Sequence, residues 1–262
     1  MSIRYVKKKP YAAVLHYANP VRIIYWLFYV KIYLNFIGYF WHKARRGEAA
    51  FFLGGVRYTQ FIHRHNHTYD NERCVELPVV RQLVRAMAGK KILEVGNVLS
   101  HYSAGTHVVI DKFERAQNVI NVDAVEFAPD CTFDLIVSIS TIEHIGWDDI
   151  VRDGSRVVVA IDRLKALLNP GGLLLATAPL GYNPLFDQHV AARTLGFSRQ
   201  QFLRRCTRGG IWNEISMEEA VGAKYGSPFP CGNVVIFGFY QRPMDVPTEL
   251  RSTSVAGETR RL

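Results

Sequence analysis

The sequence predicts an α/β fold, in which a mostly parallel sheet is preceded by a helical extension and ends in an antiparallel hairpin. Beyond residue 71, short apolar runs alternate with helical patterns and turn residues. The composition, with 48% hydrophobic and 21% charged residues, is that of a folded protein. A chain of 262 residues has room for one sizeable α/β domain and an appendage.

The positive charge is confined to the N-terminal part of the chain. The formal net charge is +9, and residues 1–60 hold ten Lys or Arg residues against the single acid Glu48. The rest of the chain is neutral, with 22 basic and 22 acidic residues. A nucleic-acid-binding domain is expected to carry its basic stripe on the folded body, so we expect no nucleic-acid partner.

A helix is predicted over Ile23–Trp41, which is close to the length of a bilayer core. On a helical projection, Lys31, Asn35, Gly38 and His42 form a narrow polar stripe. A helix lying in the plane of an anionic membrane surface accommodates this stripe and the basic clusters on both flanks, so residues 1–46 are expected to bind such a surface. Packing on the rest of the chain or on a second copy, and a single membrane span, remain open.

Residues 61–89 are expected to form a polar connector and a helix. His63, His65 and His67 alternate, so on a strand they would share a face and could hold a metal. No fourth ligand is evident nearby, and the interpretation we favour is a solvated loop without a metal. Asn71 is the predicted N-cap of a helix over residues 72–87 that ends at Gly89.

The parallel sheet is predicted from five short apolar runs, at Lys91–Val95, His107–Ile110, Val119–Val122, Phe133–Ile139 and Leu173–Ala178. A helix over Gly154–Leu168, stopped by Asn169–Gly172, separates the last two runs. Strands that alternate with helices form a parallel sheet with right-handed crossovers. Beyond it we expect a helix over Ser198–Cys206 and then a hairpin of two strands, Ile211–Ser216 and Asn233–Gln241.

Acidic side chains follow successive predicted strands. Glu94 and Gly96 end the first strand, Asp111 the second and Asp123 the third, and the fourth runs into Glu143 and His144. Ligands of such sheets bind beyond the carboxyl ends of the strands. Acids there supply the hydrogen-bond acceptors that a nucleoside ligand with ribose hydroxyls and amino groups needs.

Five segments in this order, KKILEVGN, VVIDKFE, INVDAVEF, FDLIVSISTIEHIGWDD and LNPGGLLLATAPLG, resemble the successive motifs of class I S-adenosylmethionine (SAM)-dependent methyltransferases. The resemblance covers Lys90–Gly181. Within it, the run from Ser138 to Ile145 and the Asn-Pro-Gly-Gly turn resemble the branch of the family that modifies small molecules and glycans. It implies a Rossmann-like fold, SAM as cofactor, and methyl transfer to a small-molecule, sugar or lipid-linked hydroxyl acceptor.

The resemblance also implies roles for individual residues. Glu94 and the backbone at Gly96 would hold the methionine end of SAM. Independently of the resemblance, the polar side chain of Asn97 in the loop that follows is a candidate for a further contact. Asp111 would bind the ribose hydroxyls and Asp123 the adenine amine. Ser140 would lie beside the sulfonium, and His144, next to Glu143, would face the acceptor as a general base. A structural role for His144, capping the next helix, remains open.

The chain departs from this family in its first motif. The family has three alternating glycines after the acid, whereas this chain has Gly96, Val98 and Ser100. Glu94 and Asp111 are 17 positions apart and Asp111 and Asp123 are 12, too few for full crossover helices. Two hypotheses follow: an active methyltransferase with a more open nucleoside site, or a catalytically inactive scaffold at the membrane surface.

The remaining expectations concern the acceptor, the domains and the location. Tyr182, Asp187 and His189 are candidate acceptor contacts in the loop after the fifth strand. We expect a basic segment over residues 1–60, the connector, a methyltransferase-like domain over 90–242 and a disordered tail over 243–262. Widely spaced cysteines indicate reduced thiols and a cytoplasmic protein, peripheral at the inner face of the membrane, although a disulfide stays open.

Overall fold

A computed structural model describes residues 34–45, 48–103 and 105–245. Residues 23–33 of the predicted N-terminal helix and residues 246–262 of the predicted tail lie outside these ranges. Residues 34–45 are helical (α1). In the described part, no helix combines the length and the apolar character needed to cross a bilayer.

The elements that follow α1 alternate between strands and helices. In chain order they are β1 (Ala50–Leu53), β2 (Val56–Thr59), α2 (Arg73–Ala86), β3 (Ile92–Val95), β4 (Val108–Ile110), β5 (Val119–Ile120), β6 (Phe133–Ile139), α3 (Arg156–Ala166), β7 (Leu168–Pro179), α4 (Pro184–Ala191), β8 (Arg199–Arg205), β9 (Trp212–Ile215), α5 (Met217–Ala220) and β10 (Val234–Gln241). Three 3₁₀ turns add to these, at His65–Asp70, Leu99–His101 and Ile142–His144.

One large sheet forms the body of the protein. Its eight strands lie in the order β5-β4-β3-β6-β7-β10-β8-β9, and β1 and β2 form a separate hairpin. The first five strands in this order are parallel, and β10, β8 and β9 pair in antiparallel fashion. This arrangement confirms the predicted fold class. The strand order reverses between β3 and β6, which is where sheets of this kind bind their ligands.

The crossovers on one side of this reversal are short, as the acid spacing predicted. A single 3₁₀ turn, Leu99–His101, stands between β3 and β4, and no helix stands between β4 and β5 among the described residues. The layers over the sheet come from elsewhere in the chain. One face packs with α3 and with Phe186 of α4, and the other packs with α2 and with Phe51 of the hairpin.

The helix predicted over Ser198–Cys206 is wrong, because this segment is strand β8. Its backbone pairs with β10 on one side and β9 on the other, and Phe202 and Leu203 are buried. Pairing on both edges overrides the local preference for a helix. The predicted pairing of the hairpin is also wrong, since β9 pairs with β8 while β10 lies between β7 and β8.

The turn predicted to stop α3 is part of an irregular strand. α3 ends at Ala166, and Asn169–Gly172 lie within β7, where the register with β6 shifts. Gly171 has a φ of 78° and its N–H bonds to the carbonyl of Arg242, so the segment still needs its glycine. The turn residues therefore bend the start of the strand.

Candidate functional site

Two neighbouring cavities lie beyond the carboxyl ends of β3, β4 and β6. The smaller, of about 70 Å³, is a slot whose walls include Val122, Asp123, Ala124 and Ile145. The larger, of about 420 Å³, reaches Arg73, Tyr102, Ser140 and Asp148. Five residues line both cavities: Gly96, Asp111, Phe113, Thr141 and His144. We call them the slot and the main cavity.

Asp111 lies where the slot meets the main cavity. Its Oδ1 accepts hydrogen bonds from the backbone N–H groups of Phe113 (2.8 Å) and Glu114 (2.7 Å), and its Oδ2 accepts one from Asn97 N–H (3.2 Å). These bonds fix the carboxylate at the cavity wall. The adjacent Phe113 side chain is 67% exposed and offers the slot a flat aromatic face.

Asp123 lines the slot but already has basic partners. Its Oδ2 lies 3.0 Å from Nζ of Lys112 and 2.7 Å from Nη2 of Arg156. Burial opposes ionisation of Asp123, but hydrogen bonds from Val125 N–H and from these two bases outweigh it and lower its pKa. Asp123 is therefore ionised at neutral pH, and its Oδ1 accepts the Val125 bond.

The loop after β3 takes a path that does not need the two missing glycines. Gly96 has a φ of 87°, and Thr141 fills the space where a side chain on residue 96 would begin. Val98, in contrast, has a φ of −98°, which any residue adopts. The N–H groups of Val98 and Leu99 bond to Oε1 of Glu94 at 2.8 and 2.7 Å. The loop thus winds as a 3₁₀ turn over the Glu94 carboxylate.

The Glu94 carboxylate is used to hold this loop and does not face a ligand site. It is fully buried, and its Oε2 lies 2.7 Å from Nε2 of His107. It lines neither the slot nor the main cavity. Asn97 faces the main cavity, and its side-chain amide donates to Glu114 at 2.7 Å. Of the residues predicted to hold the methionine end of SAM, Gly96 and Asn97 line the main cavity.

His144 lines both cavities, whereas Glu143 lines neither. Nδ1 of His144 lies 2.6 Å from Oδ2 of Asp148, and the Tyr182 hydroxyl donates to the same carboxylate at 3.1 Å. Glu143 is 1% exposed, and within the described residues its carboxyl oxygens have no hydrogen-bond partner. Burial raises its pKa well above 4.5, and Nε2 of His144 lies 3.6 Å from its Oε1.

Ser140 connects the main cavity to a buried glutamate that the sequence analysis missed. Its Oγ donates to Glu76 of α2, with Oε1 at 2.8 Å and Oε2 at 2.9 Å. Glu76 is fully buried, and burial, reinforced by Glu72, raises its pKa to about 7. The sequence offered one signal for it: Glu76 stands in a helix among the apolar residues Cys74, Val75 and Leu77, on the side expected to be buried.

The three acceptor candidates separate in space. Tyr182 packs against His144 with the ring centroids 4.6 Å apart. Asp187 accepts from Gly181 N–H at 2.9 Å and lines a different, mostly apolar cavity of about 250 Å³. Burial raises the pKa of Asp187 to about 6. Nδ1 of His189, on α4, lies 2.7 Å from Oγ1 of Thr194, just beyond the helix. Of the three candidates, Tyr182 is the one that contacts His144.

Of the predicted loop histidines, His63 and His65 both pack against the Tyr102 ring, with centroids 5.2 and 5.4 Å away, whereas His67 contacts Tyr69. The rings of His65 and His101 stack at 4.6 Å, and Nδ1 of His67 lies 2.9 Å from the Tyr69 hydroxyl. In the part of the chain that the structure describes, no group of three or more His, Cys, Asp or Glu residues could hold a metal ion. All four cysteines lie in that part as thiols, outside any disulfide.

No family model matches this chain, and no curated protein matches it. It is similar in fold to the N-methyltransferase NodS from Bradyrhizobium japonicum WM9 in complex with S-adenosyl-L-homocysteine (SAH), at 16% identity, with 66% of this chain and 89% of NodS covered and a TM-score of 0.44. A SAM-dependent methyltransferase from Archaeoglobus fulgidus gives 13% identity, 63% and 91% coverage and a TM-score of 0.40. For a SAM-dependent methyltransferase from Thermotoga maritima, a possible histamine N-methyltransferase, the identity is 13%, the coverage is 65% of this chain and 90% of that chain, and the TM-score is 0.38. All three solved structures are methyltransferases, and what they share with this chain is the fold.

Proposed function

We propose that this protein transfers a methyl group from SAM to a hydroxyl group of a small molecule, a sugar or a lipid-linked glycan. The observation that carries the proposal is the pair of adjoining cavities at the reversal of strand order. They join Asp111 and Asp123, at the nucleoside end, to Ser140 and His144, at the end where chemistry would occur. Fold alone does not imply this activity, so the proposal rests on the residues of the site.

The residues at the slot fit the nucleoside part of SAM. The ribose hydroxyls would donate to Asp111, whose carboxylate is held at the wall by backbone N–H groups. Val122, Ala124 and Ile145 give the slot apolar walls suited to an adenine ring. Gly96 and the Thr141 side chain packed against it line both cavities and would contact the ligand there. The chemistry supplied by bound SAM is an electrophilic methyl group on a good leaving group.

His144 and Asp148 have the geometry of a general base and its orienting acid. With Nδ1–H donating to Asp148, the Nε2 atom of His144 is the hydrogen-bond acceptor of the ring. An acceptor hydroxyl at the mouth of the main cavity would give its proton to Nε2 as its oxygen receives the methyl group. The Tyr182 hydroxyl, which also donates to Asp148, would hold the dyad in place.

A second function, a catalytically inactive scaffold, is favoured by one observation. Two of the three strand-end acids already have basic partners: Asp123 pairs with Lys112 and Arg156, and Glu94 with His107. Asp111 and the main cavity argue for the enzyme, because that carboxylate has no basic partner within the described residues and the cavity is open.

Calorimetric titration of the full-length protein with SAM distinguishes the two functions. Saturable binding with one site per chain supports the methyltransferase. Absence of heat at millimolar SAM, in a sample whose circular dichroism shows it to be folded, overturns the methyltransferase and leaves the scaffold. SAH in place of SAM repeats the test without the reactive methyl group.

We further propose that α1 lies on an anionic membrane surface at the cytoplasmic face. Gly38 and His42, two members of the predicted polar stripe, face inward: Gly38 abuts the Tyr69 ring and His42 stacks on it at 5.1 Å. Apolar side chains on the rest of α1 are exposed by 45% to 61%, namely Leu34, Phe36, Ile37, Phe40 and Trp41. An outward apolar face next to Lys43 and Arg45 suits an interfacial helix.

A further inference from the structure

Three buried glutamates lie close enough to influence one another's ionisation, and one of them, Glu76, contacts Ser140 at the wall of the main cavity. Glu72, Glu76 and Glu143 are exposed by 6%, 0% and 1%. Burying three carboxyl groups together is costly unless they are neutral or meet positive charge. Glu72 accepts from Gly232 N–H at 2.8 Å and Glu76 accepts from Ser140, whereas the Glu143 oxygens have no hydrogen-bond partner in the described part.

Ser140 is held in an unusual conformation that serves this contact. Its φ is 41°, in the left-handed region that non-glycine residues rarely occupy. It lies directly after β6 and lines the main cavity, while its Oγ donates to both oxygens of Glu76. Such strain is retained where the surroundings enforce it, often at functional sites. Ser140 thus separates the cavity from Glu76 by the width of a single side chain.

Among the described residues, little positive charge faces Glu76. The ionisable groups that influence it are Arg73 and Glu72 on its own helix, Glu143 on the turn after β6, and Tyr102 on the loop after β3. Arg73 is the one permanent cation among them and also lines the main cavity. A second positive charge in that cavity would find a carboxyl group ready to ionise.

We propose that Glu76, acting through Ser140, makes the site distinguish the positively charged sulfonium of SAM from the neutral thioether of its product SAH. This inference rests on the proposed function. With the nucleoside bound at Asp111, the sulfonium enters the main cavity, because that cavity adjoins the slot. Its charge favours the carboxylate of Glu76, which releases a proton to solvent when SAM binds. SAH brings no such charge and leaves the carboxyl group protonated.

The pH dependence follows from this exchange. Burial raises the pKa of Glu76 to about 7, so the free protein holds roughly half a proton there at pH 7. A cation nearby that lowers this pKa by about one unit makes SAM affinity rise by about fivefold between pH 6 and pH 8. The affinity for SAH stays flat over the same range. At pH 7 the binding of SAM releases about 0.4 proton more than the binding of SAH.

Calorimetry in phosphate and in Tris, which differ in ionisation enthalpy, counts these protons. We expect Glu76→Gln to abolish the extra proton release that SAM causes relative to SAH, and to make the SAM-to-SAH affinity ratio equal at pH 6 and pH 8. The exposed control Glu218→Gln keeps wild-type behaviour. Because the α-ammonium of either ligand also exchanges protons, the quantity compared is wild type minus variant.

Distinct outcomes test the inference and the proposed function separately. An affinity ratio that is equal at pH 6 and pH 8 in wild type overturns the inference and leaves the methyltransferase standing. So does a wild-type proton difference that survives in Glu76→Gln but disappears in Glu143→Gln. Failure of both ligands to bind wild type overturns the proposed function as well. If Glu76→Gln does not fold, infrared difference spectra of wild type decide: SAM, and not SAH, must remove a protonated carboxyl band.

Discussion

The Oγ1 atom of Thr141 occupies the space that a Cβ atom on Gly96 would need. The two residues follow neighbouring parallel strands, β3 and β6, and both line the slot and the main cavity. This contact explains why one glycine of the first motif is present while two others are replaced. Of residues 96, 98 and 100, only residue 96 combines a positive φ, 87°, with a side chain packed where its Cβ would lie.

The first prediction concerns this glycine. Gly96→Ala should lower the free energy of unfolding by at least about 2 kcal/mol more than Gly89→Ala and should abolish SAM binding. Gly89 is a matched control, because its φ is 79° but nothing lies within 4 Å of its would-be Cβ, so it reports backbone strain alone, about 1 kcal/mol. Urea unfolding and titration calorimetry measure both effects. Equal losses of unfolding free energy in the two variants would show that the Thr141 side chain moves aside at little cost, and would contradict the prediction.

The second prediction concerns Asp111. Asp111→Asn keeps an Oδ1 acceptor for the N–H groups of Phe113 and Glu114 but loses the charge that strengthens bonds from the ribose. SAM affinity should fall by about 10- to 100-fold, because a hydrogen bond to a charged group contributes about 1.5 to 3 kcal/mol. The exposed Asp130→Asn is the control. Unchanged affinity in Asp111→Asn would contradict the assigned nucleoside end.

The third prediction concerns Glu143 and pH. Burial raises its pKa above 4.5, so the folded protein binds its proton more tightly than the unfolded chain does. Stability is therefore lost as pH rises from about 4.5 towards the folded pKa. Glu143→Gln removes this loss, and it should raise the melting temperature at pH 8 by at least about 2 to 4 °C while changing it little at pH 4.5. Differential scanning calorimetry at both pH values, with the exposed Glu48→Gln as control, measures the effect. If Glu143→Gln melts at a lower temperature than wild type at pH 8, the Glu143 carboxylate is stabilised in the folded protein and the prediction is wrong.

The fourth prediction concerns the membrane. Replacing Phe36, Phe40 and Trp41 by Ser removes the outward apolar face of α1 and should weaken binding to phosphatidylserine-containing vesicles at least about tenfold. Val159→Ser removes an apolar side chain that is 50% exposed on another helix and should have no effect. Vesicle co-sedimentation measures the partition. Binding of wild type that is equally strong on neutral phosphatidylcholine vesicles would contradict the role of the basic flanks.

Much of the fold follows from local pattern. β6 has the bounds expected from its apolar run, Phe133–Ile139, and α2 lies within one residue of its expected ends. Asp111 and Asp123 line the slot because strands of a parallel sheet bring their carboxyl ends to one edge. Such features depend on residues near one another in sequence, and so the sequence by itself determined the sheet, its short crossovers and the edge where a ligand would bind.

The tertiary structure decided which of these residues face the cavity and which serve the protein. Glu94 turned inward to hold its own loop, and Glu76 met Ser140 across 64 positions of sequence. β8 became a strand because β10 and β9 pair with its two edges, and Gly38 and His42 on α1 turned towards Tyr69. These outcomes depend on partners far away in the chain, whose contacts outweigh the preferences of any short segment, and no local periodicity encodes them.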